Sequence, residues 1–328
     1  MKAVFLTEYS SSIGFGHLAR CGALADELYK QNFAVEFIIR GSTLSPTLNF
    51  DYSLNEWNSS EFIQKINLEK TLLIFDSYLV KQNELNIITR DVIYPISISD
   101  SQRNYVEKGL VIIPSAYGFE LLQTKKNLYF DYLAGPEYVL FRKEFISNIP
   151  LRKKINENVN SVLISLGGFT DVQILNIIIN ALLHNFNGLK IYIVGNIRNV
   201  ELLVQNECVK YLNFVNAKKY VSLLKDVDFA VLNGGQSLNE AILLKVPSIA
   251  IPTAGNQFNN ISFWRGLKAC LACDPVGPLP AFEKEFTENL LRIKRPQIRD
   301  MVNTLGVKLD GLASERIVRY LLHKFNWQ

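Results

Sequence analysis

Of the three histidines in this 328-residue chain, His17 stands where it could do chemistry. The run EYSSSIGFGHLARCGALADEL puts it just after Gly14 and Gly16. It also puts it at the head of a segment in which Leu18, Cys21, Leu24 and Leu28 recur at helical spacing. An imidazole titrates near pH 6.5, so a neutral fraction is available at neutral pH to take a proton from water. The plain alternative is a residue that caps the turn or stays solvated. A second stretch, NGGQSLNEAILLKVPSIAIPTAGNQFNN, runs from Asn233 to Asn260. It reads as the end of a strand, a turn at Gly234 and Gly235, a helix, another strand and a polar loop. Glycines at such a junction let a ligand approach the backbone, and the free N–H groups of Gln236 and Ser237 favour an anion, phosphate above all. Glu240 lies one turn further on, where a carboxylate can accept hydrogen bonds from ribose hydroxyls. Phosphate and diol together suggest a nucleotide. The glycines could equally serve only the turn, with Glu240 a solvated surface residue, and these residues alone leave the two readings level.

Such groups act only if the chain builds elements that hold them. A short apolar strand from Ala3, the glycine loop and the helix after it form the opening of a Rossmann-like domain, in which Arg20 stands near the place of the fingerprint's third glycine. Further strands are predicted at residues 35–39, 71–75, 92–98, 110–113 and 129–133, with a polar segment over 41–58 and a helix over 59–66. FDSY places Asp76 and Tyr78 at the carboxyl end of one strand, and Asp100 follows the next. Near residue 150 the grammar restarts with a strand, Gly167, Gly168 and a helix rich in Leu and Ile. The predicted domains are therefore 1–150 and 151–328, two Rossmann-like α/β units facing across a cleft, with one glycine loop on each wall. Helices are predicted over 256–266, 283–293 and 310–325, the last with a broad apolar stripe that crosses back to the first domain.

Composition narrows the function. Hydrophobic content of 48% and charged content of 20% are those of a globular protein, and the length calls for two cores. The net charge of +4 is scattered, with short clusters such as Arg152-Lys153-Lys154, so no nucleic-acid partner is predicted. Without an apolar run of membrane-spanning length or a secretory leader the expectation is a cytosolic protein, and peripheral membrane contact through apolar loops stays open. Cys270 and Cys273 form a CxxC inside the apolar ACLAC with no second pair nearby, which favours buried thiols over zinc. No carboxylate cluster has metal-ligand spacing, and neither a metal nor a cofactor is predicted.

SIGFGHLARCGALADEL, FDSY, GPEYVLFR, LISLGG, NGGQSLNE and GNQ, in that order along the chain, resemble the blocks of the PseG-type UDP-sugar hydrolases of pseudaminic acid biosynthesis. These are relatives of MurG with the two-domain GT-B fold. The resemblance implies metal-free cleavage, with inversion, of the bond between the anomeric carbon and UDP in a UDP-diacetamido-trideoxyhexose. It assigns His17 as general base, Gly14 and Gly16 to the loop beside the diphosphate, and Tyr78 to the sugar pocket. Gly235, Gln236 and Ser237 would hold the diphosphate, Glu240 the ribose, and Asn256 and Gln257 would close the site. Arg20, Asp76, Gly168 and Gly234 complete the candidate substrate-binding set. The chain departs from the pattern at Glu8, near which the family usually has an aspartate, and at Gln236-Ser237, where Ser-Thr is common. Two other classes fit the same nucleotide-sugar site: a GT-B glycosyltransferase that deprotonates an acceptor hydroxyl instead of water, and a non-catalytic nucleotide-sugar-binding protein.

Overall fold

The computed structural model describes residues 1–9, 16–41, 48–59, 61–62, 71–92, 94–99, 106, 108–123 (backbone alone for 121–123), 130–167, 171–197, 206–213, 215–275, 277–306 and 309–327. Gly14, Asp100, Gly168 and most of the helix predicted over 59–66 lie outside the described residues. The chain forms two compact units, Met1–Lys143 with Lys308–Gln328, and Glu144–Val307.

The first unit is built on seven strands: β1 (Lys2–Tyr9), β2 (Ala34–Gly41), β3 (Asp51–Leu54), β4 (Thr71–Asp76), β5 (Ile96–Ile98), β6 (Gly109–Ile113) and β7 (Phe130–Ala134). They pair in parallel in the order β3-β2-β1-β4-β5-β6-β7. β1 is buried from Ala3 to Tyr9, as a central parallel strand covered on both faces must be, and its run of apolar residues follows from that. β3 corrects the polar segment predicted over 41–58. Its sequence, DYSL, gives no apolar signal because an edge strand has one neighbour and stays largely exposed. β5 is shorter than the strand predicted over 92–98, since Pro95 has no N–H to give the ladder.

Helix α1 (Gly16–Lys30) follows β1. Two helices that the sequence pattern did not signal are α2 (Gln82–Ile88) and α3 (Gly118–Gln123). α2 starts under a capping box in which the Glu84 carboxylate accepts from the Lys81 N–H at 2.9 Å. The C-terminal helix Ala313–Phe325 packs Ala313, Ile317, Val318 and Leu321 into the core of this same unit beside α1, and Arg316 donates to the Glu137 carbonyl at 2.9 Å.

The second unit repeats the pattern with β8 (Ser161–Ser165), β9 (Lys190–Val194), β10 (Val209–Leu212), β11 (Phe229–Asn233), β12 (Ser248–Ile251) and β13 (Leu271–Ala272). The order is β10-β9-β8-β11-β12-β13, again parallel throughout. Its helices are α4 (Val172–Asn185), α5 (Ala217–Asp226), α6 (Gln236–Leu243), α7 (Phe258–Gly266) and α8 (Leu279–Ile293). α8 begins earlier than the predicted residue 283 because Pro278 and Pro280 suit a helix start, where a missing N–H costs nothing. Asp171 caps α4 by accepting from the Gln173 N–H at 2.7 Å, and Asn216 caps α5 by accepting from Lys219 at 2.9 Å. α6 differs: its cap is Gly235, with no side-chain hydrogen bond.

Each sheet reverses its strand order once, between β1 and β4 in the first unit and between β8 and β11 in the second. In open α/β sheets the carboxyl ends at that reversal are where ligands bind. Asp76 ends β4, His17 opens the helix after β1, and Gly234 and Gly235 follow β11 there.

Candidate active site

In the first unit the register sets Thr7, near the end of β1, opposite Asp76, the last residue of β4, so both strands bring their carboxyl ends to one place. α1 then carries His17, Arg20 and Cys21 at i, i+3 and i+4, one face of a helix. All three reach Asp76. His17 Nδ1 lies 2.5 Å from Oδ1, Arg20 donates from Nη2 to Oδ1 at 2.6 Å and from Nε to Oδ2, and the Cys21 thiol is 3.7 Å from Oδ2. Asp76 is 0% exposed. Burial by itself pushes its pKa up, but the Arg20 guanidinium and then His17 outweigh that and hold it at about 2. The side chain is therefore a carboxylate at neutral pH, and it accepts the Nδ1 proton. The Cys21 thiol, raised well above its ordinary value by burial and by Asp76, stays protonated.

The carboxylate 2.5 Å from Nδ1 favours a proton on that nitrogen, which Arg20 Nη2 also approaches at 3.1 Å, and in that tautomer the lone pair lies on Nε2. Nε2 is buried and has no hydrogen-bond partner among the described residues. Its nearest carboxylate is Glu8, with Oε1 at 3.8 Å. Glu8 is itself 0% exposed and held in place, accepting from Ser77 Oγ at 2.5 Å and from the Tyr78 N–H at 2.5 Å. The Tyr78 ring meets the imidazole edge-on, 4.3 Å between centroids at 78°, and the Arg20 guanidinium lies 5.9 Å from the same ring. The structure thus gathers His17, Arg20, Asp76 and Tyr78, and places Gly16 as the first residue of α1. Arg20 and Asp76, expected on the substrate, engage each other and His17. Glu8 was missing from the candidate set; its signal in the sequence is a charge closing an otherwise apolar strand.

In the second unit β11 ends at Asn233 and the chain turns through Gly234 and Gly235 into α6. A Cβ on Gly234 would come within 2.5 Å of the Ile261 side chain on α7 and 3.0 Å of Gln257, so the position requires glycine for packing. A Cβ on Gly235 would meet ordinary contacts at 3.6 Å and beyond, which leaves that side of the turn roomy. Gly167, at φ +90°, faces the Asn233 amide from β8, with 2.8 Å between that amide nitrogen and a would-be Cβ. The turn is braced by side-chain oxygens: Asn233 Oδ1 accepts from the Gly235 N–H at 3.3 Å, and Gln257 Oε1 accepts from Gly234 at 3.1 Å and from Thr253 at 2.9 Å.

Asn260 donates to the Gly234 carbonyl at 2.8 Å, and the Trp264 indole donates to Asn239 Oδ1 at 2.8 Å, which ties α7 to α6 and the turn. Gln257 thus acts on the turn through its carbonyl oxygen, keeping its amide nitrogen on the Gly235 side, 3.8 Å from a would-be Cβ there. Gln236 and Ser237 open α6, half-buried, and Asn256 is exposed. Glu240 is buried in α6, which removes the solvated reading. Chemically, the first unit holds an oriented imidazole with its proton-accepting nitrogen unengaged, and the second holds a helix start whose donors come from the main chain. The CxxC is a pair of buried thiols, each raised to about 12 by burial.

No model of a known protein family matches the chain. It is 26% identical over 269 residues to the UDP-2,4-diacetamido-2,4,6-trideoxy-beta-L-altropyranose hydrolase of Campylobacter jejuni, covering 78% of this chain and 93% of that protein. It is 23% identical over 276 residues to an uncharacterised protein of Methanocaldococcus jannaschii, covering 76% of this chain and spanning only 55% of that longer protein. Among solved structures, the S. aureus MnaA–UDP co-structure superimposes with a TM-score of 0.70 at 12% identity, covering 100% of this chain and 98% of that one. Acinetobacter baumannii MurG superimposes with a TM-score of 0.64 at 13% identity, covering 98% and 100%. No helix among the described residues is long and apolar enough to cross a membrane. The two parallel α/β units, the strand orders and these superpositions establish that the chain has the two-unit, Rossmann-like GT-B fold.

Proposed function

We propose that the chain is a UDP-sugar hydrolase that splits the anomeric C–O bond of a UDP-diacetamido-trideoxyhexose, releasing UDP and the free sugar with inversion. The observation that carries this reading is His17: Asp76 holds Nδ1 protonated, and Nε2 is left to accept a proton. In the step, water attacks the anomeric carbon while Nε2 takes its proton. The C–O bond to the β-phosphate breaks, and its electron pair leaves with UDP. Asp76 and Glu8 offset the positive charge that develops on the ring, as the carboxylate of a catalytic triad does. Main-chain N–H groups at Gln236 and Ser237, which follow the Gly235 N–H held by Asn233, would meet the charge that develops on the leaving diphosphate. Glu240 would accept from the ribose hydroxyls. The alignment with the Campylobacter hydrolase, which runs over most of both chains, supports the choice of substrate.

The same imidazole could deprotonate an acceptor hydroxyl, which is how a GT-B transferase would use it. The deciding experiment measures UDP release from UDP-2,4-diacetamido-2,4,6-trideoxy-β-L-altropyranose with no acceptor present. Sustained turnover, abolished in His17→Asn, is the expected result. Trace release that rises only when a glycan or lipid-linked acceptor is added would transfer the assignment to the transferase.

A further inference from the structure

The amino ends of the second unit's strands carry a feature that the proposed reaction does not use. A cavity of about 370 Å³ opens there, walled by the residues that lead into β12 and β13, by the end of α7, by the end of α8 and by Ile298, Arg299, Met301 and Val302. The glycine turn lies at the opposite, carboxyl ends of the same sheet. Four cations line the cavity, Arg265, Lys268, Arg292 and Arg299, and no Asp or Glu is among the described residues of its wall.

Arg299 is the telling member. It is 1% exposed and donates from Nη2 to the carbonyls of Asn156 and Glu157 at 2.8 and 2.9 Å, while Nε and Nη1 have no partner among the described residues. The acid that acts on it electrostatically, Asp228, already accepts from Asn156 at 2.7 Å and from the N–H groups of Asn160 and Ser161 at 2.8 and 3.0 Å. Arg299 thus sets a second, buried positive charge behind the mouth, and its printed hydrogen bonds go to carbonyls and not to a carboxylate. Arg265, Lys268 and Arg292 are exposed at the mouth, and no ion pair engages them among the described residues.

We infer that this cavity binds a small phosphate-bearing metabolite, a phosphomonoester or diphosphate whose organic part rests on Ile293 and Ile298. The exposed guanidinium forks of Arg265 and Arg292 and the Lys268 ammonium match the oxygens of a phosphate group, with the charge of Arg299 behind them, and guanidinium pairs with phosphate bidentately. The volume, within the range of small-molecule sites, exceeds what one inorganic ion fills. A macromolecular polyanion would need a broad basic face and not a recess of about 370 Å³.

The chain supplies its own reporter, because Met301 lines the cavity and Met1 is the only other methionine. The full-length protein carrying 13C-methyl methionine is titrated with inorganic pyrophosphate. The Met301 methyl resonance should move saturably while Met1 stays still. In Arg265→Ala/Lys268→Ala/Arg292→Ala, whose replaced side chains are exposed and leave the fold intact, the midpoint should rise at least about tenfold. A Met301 signal that does not respond, or that titrates identically in the triple variant, overturns the inference. Citrate moving Met301 where pyrophosphate does not would overturn the phosphate assignment. Because Met301 reports this cavity, failure here leaves the hydrolase reading standing.

Discussion

At the end of β4 the first unit gathers Asp76, His17, Arg20 and Glu8, whereas at the end of β11, the matching strand of the second unit, stand Asn233, Gly234 and Gly235. The topology is the same and the place in it is the same, but the groups offered there differ in kind. In the first unit, side chains from α1 converge on a buried carboxylate, because positions i, i+3 and i+4 of one helix face the end of the neighbouring strand. In the second, glycine removes side chains from the turn, whose own N–H groups are held by Gln257 and Asn233, so the main-chain donors set toward a ligand are those that open α6. Proton transfer requires a titrating group of fixed orientation, and holding a diphosphate requires several donors at once. One fold, used twice, supplies each by changing the residues at the strand's carboxyl end and in the turn beyond it.

If this division of labour is right, the largest effects should come from Asp76. Asp76→Asn removes the buried charge that faces both Arg20 and His17, and takes from the part-buried Arg20 guanidinium the carboxylate it grips. Turnover should fall at least about 100-fold, because the ring loses the partner that sets its tautomer. Stability should fall by about 3 kcal/mol, the cost of breaking a buried pair from one side. Urea unfolding together with UDP-release kinetics reads both. His17→Asn separates the two effects: the same loss of at least about 100-fold in kcat is expected, with UDP affinity by calorimetry unchanged. Weakened UDP binding with kcat intact would break the comparison, since it would make the first unit the one that grips the nucleotide.

The converse experiment is on the second unit. Gly234→Ala drives a methyl to 2.5 Å from Ile261, so the turn or α7 must shift, at about 1–3 kcal/mol for overpacking. UDP affinity should drop while the pH profile of kcat keeps its shape. Ile261→Ala in the same chain should restore part of both stability and affinity, as it removes the Cδ1 and Cγ1 atoms that would each lie 2.5 Å from the new methyl. Absence of rescue would mean that the glycine serves the backbone conformation and not the packing against α7.

How far these features could be read beforehand depends on where the information resides. The central strands were legible because burial on both faces forces continuous apolar runs, as in β1, β11 and β12. Edge strand β3 and the short α2 were not, since DYSL is mostly exposed and α2 offers only seven residues of periodicity. His17, Asp76 and the glycine turn were visible as types at strand ends. What spacing could not reveal is that 59 residues of chain separation close to 2.5 Å between His17 and Asp76. That pairing depends on the register of β1 with β4, which the sequence pattern does not specify. Glu8 escaped for the opposite reason: its neighbours in sequence made it look like the polar end of a strand, and only Ser77 and Tyr78, folded back onto it, reveal its role. The basic cavity escaped as well, because its four cations are scattered from residue 265 to 299 among ordinary helix residues.

The smallest expected effect tests the charge in the first unit without changing its geometry. Asp76 has its folded pKa depressed to about 2 by Arg20 and His17 against the opposing effect of burial. A carboxyl of ordinary pKa, about 3.9 in the unfolded chain, binds its proton before the folded one does as pH falls. The stabilisation, about 2 kcal/mol, is therefore complete above the unfolded pKa and is lost progressively as pH falls through the folded value near 2. Urea midpoints measured from pH 6 down to pH 2.5 should decline more steeply in the native protein than in Asp76→Asn, which lacks the titrating group. The hydrogen bonds that brace the glycine turn join backbone N–H groups to the amide oxygens of Asn233 and Gln257, and neither amide titrates. Gln257→Ala should accordingly lower the midpoint by the same amount at every pH, and a Gln257→Ala deficit that grew with acid would place a titrating group in the turn and undo the contrast between the units.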